Sequence, residues 1–151
     1  MARTPFRDSE IYKLHEIVIR LDGYAQARLL PPLGITYPEF LVLMAVEETG
    51  RATHSDVAAM LEMSKSLVSQ RVSALERKGL LRQTVNAANK RERHLELTSK
   101  GRAVVPRAFD ALLSAAEGVF AALGGERKKM NTSLDRVLGQ LRTLGSTAAS
   151  T

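Results

Sequence analysis

Residues 53–79 read THSDVAAMLEMSKSLVSQRVSALERKG, two short amphipathic segments only two or three residues apart. No other stretch limits the fold as tightly. In the first segment Thr53 and Asp56 have the spacing of a capping box, and Val57, Met60 and Leu61 form an apolar stripe. In the second, Ser64 suits the N-cap, Val68, Val72 and Leu75 form the stripe, and Gly79 the stop. Two helices joined by so tight a turn predict a helix-turn-helix.

The next twenty residues narrow the fold further. LLRQTV (80–85) and RHLELT (93–98) alternate in polarity around a polar turn, the signature of a two-stranded hairpin. That turn is longer than the tightest hairpin loops, so its tip should project. A helix-turn-helix joined directly to a hairpin predicts a winged helix over residues 36–98.

The flanks read as helix. Ile11, Leu14, Ile17, Val18 and Leu21 recur at spacings of three and four, predicting a helix over 8–30. Asp8 or Ser9 can cap it, and Pro31–Pro32 end it. A second helix is expected from about Pro38 to Thr49, stopped by Gly50. Thr98 caps a long helix with Val105, Phe109, Leu112, Leu113, Phe120 and Leu123 on its apolar positions and a kink expected at Pro106. Gly124–Gly125 breaks the chain before a last helix over 126–144 bearing Leu134, Val137, Leu138, Leu141 and Leu144; the GSTAAST tail (145–151) is expected to fray. The fold class is thus mainly α with a small β-hairpin, in one domain of 151 residues.

Charge locates the function. The net charge is +6, and residues 50–105 hold eleven Lys and Arg against five Asp and Glu, which accounts for all of it. A basic segment between neutral flanks suits a polyanion. In a winged helix the second helix of the helix-turn-helix enters the major groove, and the hairpin reaches the flanking minor groove. Ser64, Lys65, Ser66, Ser69, Gln70 and Arg71 are all hydrogen-bonding types off the Val68/Val72/Leu75 stripe. Gln pairs with adenine and Arg with guanine, while Ser contacts phosphates or bases. The solvated face of any amphipathic helix offers similar residues; the basic hairpin directly after this one favours double-stranded DNA.

The string SKSLVSQRVSALERKGLLRQ resembles the recognition helix and first wing strand of MarR-family transcriptional regulators, and LTSKG (97–101) resembles that family's wing exit. The order of elements matches over nearly the whole chain. The family's wing tip carries a D-x-R element; here the position reads Asn89-Lys90-Arg91, so the arginine matches and the charged aspartate is replaced by an amide. Glu92 is the nearest acid. The resemblance points to Arg91 as the wing residue, with Lys90 and Arg93 as phosphate contacts. It implies a homodimer built from helices at 8–30 and 99–145 on a pseudo-palindromic site. The apolar stripes at both ends of the chain support this independently, since a lone winged-helix core would leave them exposed. The resemblance also implies a small aromatic or phenolic effector, for which His15, Tyr24, Arg28, Tyr37 and Phe40 are the candidates.

Other classes fit less well. The three histidines, His15, His54 and His94, are far apart and lack metal-ligand spacing; there is no cysteine, no G-x-S-x-G and no P-loop. No enzyme, cofactor or metal is therefore expected, and cysteine-based redox sensing is excluded. The longest apolar run, FLVLMAV (40–46), is far too short for a bilayer, and the N-terminus has no signal-peptide pattern, so a cytoplasmic protein without a membrane partner is expected. The rival reading is a low-specificity architectural binder held by phosphate contacts alone.

Overall fold

The computed structural model describes residues 5–89 and 92–148. The chain divides into two units, Met1–Leu112 and Leu113–Thr151.

In the first unit a 3-10 turn, Phe6–Asp8, leads into α1 (Glu10–Tyr24). Ser9 is the cap: its hydroxyl accepts from Tyr12 N at 3.3 Å. The expected helix over 8–30 keeps α-helical pitch only to Tyr24. Ala25–Leu29 widens into a π-helical turn and Pro31–Leu33 is 3-10. Pro31 has no N–H to give, and its ring crowds the preceding helical turn. The wide turn leaves Ala25 and Leu30 buried, whereas no residue of α1 is buried.

α2 (Tyr37–Thr49) opens on a complete capping box between Thr36 and Glu39, with Pro38 in the first turn and Gly50 at the end. It is the central helix: Phe40, Val42, Leu43, Ala45 and Val46 are all buried. Next come β1 (Ala52–Thr53), α3 (His54–Leu61) and α4 (Lys65–Arg77). The predicted box at α3 is present, with Asp56 N donating to Thr53 Oγ1 at 3.2 Å and Thr53 N donating to Asp56 Oδ2 at 2.8 Å. The turn between α3 and α4 passes through Glu62 at φ 52°, the one non-glycine residue with positive φ among those described.

β2 (Leu81–Val85) and β3 (Arg93–Leu97) form the hairpin, in register from Leu81↔Leu97 to Val85↔Arg93. The sheet has a third strand that the sequence did not reveal. β1 pairs antiparallel with β3, Ala52 opposite Leu95 and Thr53 opposite His94, so the order is β1-β3-β2. Two residues are too few to show a period of two.

α5 (Ser99–Phe120) starts where Gly101 N donates to Thr98 Oγ1 at 3.0 Å, and it runs helical through Pro106. Three sequence expectations need correction. Met60 is 48% exposed, and Ala58 takes the buried place beside Val57 on α3. On α5, Phe109 and Leu113 face solvent while Val104, Val105 and Ala108 are buried. The last helix, α6 (Glu126–Ala148), continues beyond Gly145 into the stretch expected to fray. The Gly124–Gly125 break before α6 is present, with Gly124 at φ 49°.

The core joins α2, α3, α4, the sheet and the start of α5. Val68, Val72 and Leu75 are fully buried in it, each contributing roughly 1.5–3 kcal/mol. Among the described residues no single helix is long and apolar enough to cross a membrane.

Gly101 is where α5 meets the turn after α4. A Cβ there would lie 2.0 Å from the Leu80 carbonyl oxygen. Gly101→Ala is expected to destabilise the fold by about 1–3 kcal/mol. Gly118→Ala, on the same helix with nothing within 4 Å, should be neutral or stabilising by about 0.5–1 kcal/mol. Urea denaturation of both variants checks the contrast.

Candidate nucleic-acid interface

α4, the helix expected from sequence to read bases, is oriented by its apolar stripe. With Val68, Val72 and Leu75 turned inward, Lys65, Ser66, Ser69 and Gln70 are exposed. Ser64 is exposed too, and its hydroxyl oxygen accepts from Leu67 N at 3.2 Å, so the cap role holds. Arg71 differs from the rest. It is half-buried at the shoulder of the helix, and its Nε is buried without a hydrogen-bond partner. Ser73 and Arg77, both exposed, continue the outward stripe of Ser66 and Gln70. The sequence reading missed them because it stopped at the first turns; carrying the helical period two turns further finds them.

The end of α4 is fastened on two sides. Lys78, its C-cap, donates from Nζ to Glu39 Oε2 at 2.7 Å and to Oε1 at 2.9 Å. Glu39 Oε2 also accepts from Thr36 N at 2.8 Å. Burial alone would raise the Glu39 pKa; the bonds from Lys78 and Thr36 outweigh it and hold the carboxyl below its ordinary value. From α5 and the residue that caps it, Lys100 Nζ donates to the Lys78 carbonyl at 2.9 Å and Thr98 Oγ1 to the Gly79 carbonyl at 2.7 Å.

The wing is closed by Asn86 and Glu92. Asn86 N donates to Glu92 O at 3.0 Å, and Asn86 Nδ2 donates to Glu92 Oε2 at 2.7 Å. Asn86 Oδ1 accepts from Ala88 N at 3.0 Å, an Asx turn. Glu92, considered from sequence as the acid nearest the wing arginine, has one carboxylate oxygen bonded to Asn86. Lys90 and Arg91 lie outside the described residues. Arg93 is exposed at the start of β3. With Asn89, Glu92, Thr53, His54 and Ser55 it lines a cleft between the wing base and the first turn of α3. Burial lowers the His54 pKa, Glu76 opposes that shift and Arg93 adds to it.

Not every basic residue of the segment faces outward unpaired. Arg82 pairs across the hairpin with Glu96, Nη2 to Oε2 at 2.9 Å. Gln83 Nε2 donates to Glu76 Oε2 at 2.9 Å, joining β2 to α4.

The five effector candidates are not equivalent. Phe40 is 4% exposed and belongs to the core. Tyr37 is half-buried and stacks on Phe40, ring centroids 6.3 Å apart. Burial, with Asp22 adding, raises the Tyr37 phenol pKa. His15, Tyr24 and Arg28 are exposed. Among the described residues no cluster of three or more His, Asp or Glu can hold a metal ion.

Residues 33–92 match the model of the MarR family. The fold is similar to that of a MarR-family transcriptional regulator from Rhodococcus sp. RHA1, with TM-score 0.78 and 21% identity over 89% of this chain and 94% of the other. It is also similar to S. aureus MepR in a DNA complex (TM-score 0.76, 21% identity, 91% and 99% covered). CouR from Rhodococcus jostii RHA1, bound to p-coumaroyl-CoA, gives TM-score 0.80 at 20% identity, with 92% and 95% covered. At these identities the likeness establishes a shared fold. No curated protein sequence matches the chain.

The Glu39 environment sets an acid limit. A carboxyl whose folded pKa is depressed contributes stability that is complete above its unfolded value, about 4.3, and lost as pH falls through the lower folded value. Unfolding free energy should therefore fall below about pH 4. Glu39→Gln should be less stable at neutral pH and show a shallower acid decline. Denaturation at a series of pH values tests this, and parallel curves for the two proteins would refute it.

Proposed function

We propose, from the match of residues 33–92 to the model of the MarR family, that the chain is a MarR-family, sequence-specific DNA-binding transcriptional regulator. It acts as a homodimer on a pseudo-palindromic promoter site, represses by occupying it, and is released by a small aromatic or phenolic effector. It is cytoplasmic and performs no catalysis. The observation that carries the reading is the exposed polar stripe of α4, Lys65, Ser66, Ser69 and Gln70, within the segment that holds the whole +6 charge.

In this reading α4 lies in the major groove. Gln70 reads a base edge, Lys65 and the serines contact bases or phosphates, and Arg91 enters the minor groove with Lys90 and Arg93 on phosphates. Half-buried Arg71 suits a phosphate oxygen beside the helix better than a base edge. The effector site draws on Tyr37 and on exposed His15, Tyr24 and Arg28; buried Phe40 supports its wall. An effector acts only through different affinities for two states, so release means it binds a dimer whose reading helices are spaced wrongly for DNA.

The dimer surface is the apolar face left open at each end. On α1, Ile11, Ile17, Val18 and Ile19 are about half exposed or more, and on α6 so are Val137, Leu138, Leu141 and Leu144. Leu141→Glu or Ile17→Glu should turn a dimer into a monomer by sedimentation without loss of helical circular dichroism. A variant that stays dimeric removes that helix from the interface.

Selection of random duplex DNA on the protein tests the function. The expected result is a palindromic consensus with half-sites about one helical turn apart. Arg91→Ala should weaken binding and lower the salt slope by about one. Gln70→Ala should cost about 1–3 kcal/mol of preference at one base pair and leave non-specific affinity unchanged. Tight, steeply salt-dependent binding without a consensus would select the architectural reading instead.

A further inference from the structure

Glu39 is the one buried charged residue among those described, at 4% exposure. A capping box at this helix start needs no ion; a glutamine serves the same role. Burying a carboxylate costs free energy unless a partner compensates. Here the partner is Lys78, 39 residues away at the C-cap of the recognition helix. The other side of the same turn is bonded as well. Gln26 Oε1 accepts from Tyr37 N at 2.9 Å, which fastens the π-helical turn directly continuing α1. One run of hydrogen bonds thus leads from the end of α1 through Gln26, Tyr37, Thr36 and Glu39 to Lys78 and α4.

We infer that Glu39 is a positioning residue for DNA reading: through Lys78 it sets where α4 stands relative to α1, and thereby the separation of the two recognition helices in the dimer. The inference rests on the dimeric DNA-binding reading above. Lys78 is accordingly a structural cation and makes no phosphate contact. Buried ion pairs add little net stability against well-packed alternatives, and fixing one geometry is their better-attested use.

The test uses the full-length protein and the duplex obtained by selection, with half-site spacing at its optimum and one base pair longer or shorter. Affinity for these, for a non-specific duplex, and the salt slope are measured for wild type, Glu39→Gln, Lys78→Met and Lys78→Arg at a temperature where all are folded. Glu39→Gln and Lys78→Met should lose on the order of tenfold at the optimal spacing and discriminate less between spacings. Non-specific affinity and salt slope should not change, and Lys78→Arg should retain the preference. Glu39→Asp, which keeps the charge on a shorter arm, should show the same loss of spacing preference and serves if Glu39→Gln does not fold. Unchanged spacing preference with only a lower melting temperature would overturn the inference. So would a salt slope lower by about one in Lys78→Met, which marks a phosphate contact. A wild type indifferent to spacing would overturn the dimeric reading itself, and this inference with it.

Discussion

The structure depends on how tightly the chain is held at residues 78–80, just after α4. Three backbone carbonyls there accept from α5 and its cap: Lys78 O from Lys100, Gly79 O from the Thr98 hydroxyl, and Leu80 O from Thr98 N. Gly101 lets the helix approach so closely that a methyl group would overlap Leu80 O. The carbonyls of the last turn of α4 are satisfied locally, Ala74 O by Lys78 N, Glu76 O by Gly79 N and Leu75 O by Leu80 N. The three carbonyls that follow are held by another element, so the end of α4 is anchored. Leu80 and Leu81, 2% exposed, then carry the chain through the core into β2. Helix and wing therefore leave the same fixed point, and movement of one is resisted by the other.

That anchoring explains where the molecule is left unfinished. Among the described residues, every buried apolar side chain lies between Ala25 and Ala108. α1 and α6 carry exposed apolar faces, and most helical stability in proteins comes from packing such a face. A further surface would cover them. In the dimer proposed above, a second copy of the chain supplies it at both ends at once, since the same stripes then face each other.

Much of this was legible in the sequence because the signals were local and redundant. Thr53 with Asp56, Ser64 with its stripe, and the alternation of 80–85 and 93–98 each specify an element without reference to the rest, and all three are present. The failures are of another kind. β1 has two residues and exists only by pairing with β3. The π-helical turn at Ala25–Leu29 reflects Pro31 acting backwards on a stretch whose periodicity still reads as helix. Nothing in the sequence singled out Glu39, because its partner is 39 residues distant. Arg71 read as another outward polar residue, although a buried Nε places it at the edge of the core. Of the effector candidates, proximity in sequence does bring Tyr37 onto Phe40, but Phe40 is needed by the core.

The wing shows how a change of one residue type alters the physics of an interface. An aspartate at position 89 would bring a charge to the tip beside Arg91. With Asn89 there instead, the described part of the wing is held by short-range hydrogen bonds: Asn86 N to Glu92 O, Asn86 Nδ2 to Glu92 Oε2, and Glu92 N to Asn89 O. Salt screens interactions between exposed charges beyond about 10 Å at 0.1 M, whereas bonds of this length are hardly affected. The hairpin below the tip therefore keeps its geometry as ionic strength rises. In the DNA-binding reading proposed above, changes in affinity with salt then report the phosphate contacts themselves and not a wing that loosens. Lys78 and Arg82 are already paired with Glu39 and Glu96. In the same DNA-binding reading, the electrostatics of binding fall on the outward residues of α4 and on the wing, and the paired cations behind them serve the frame that aims both.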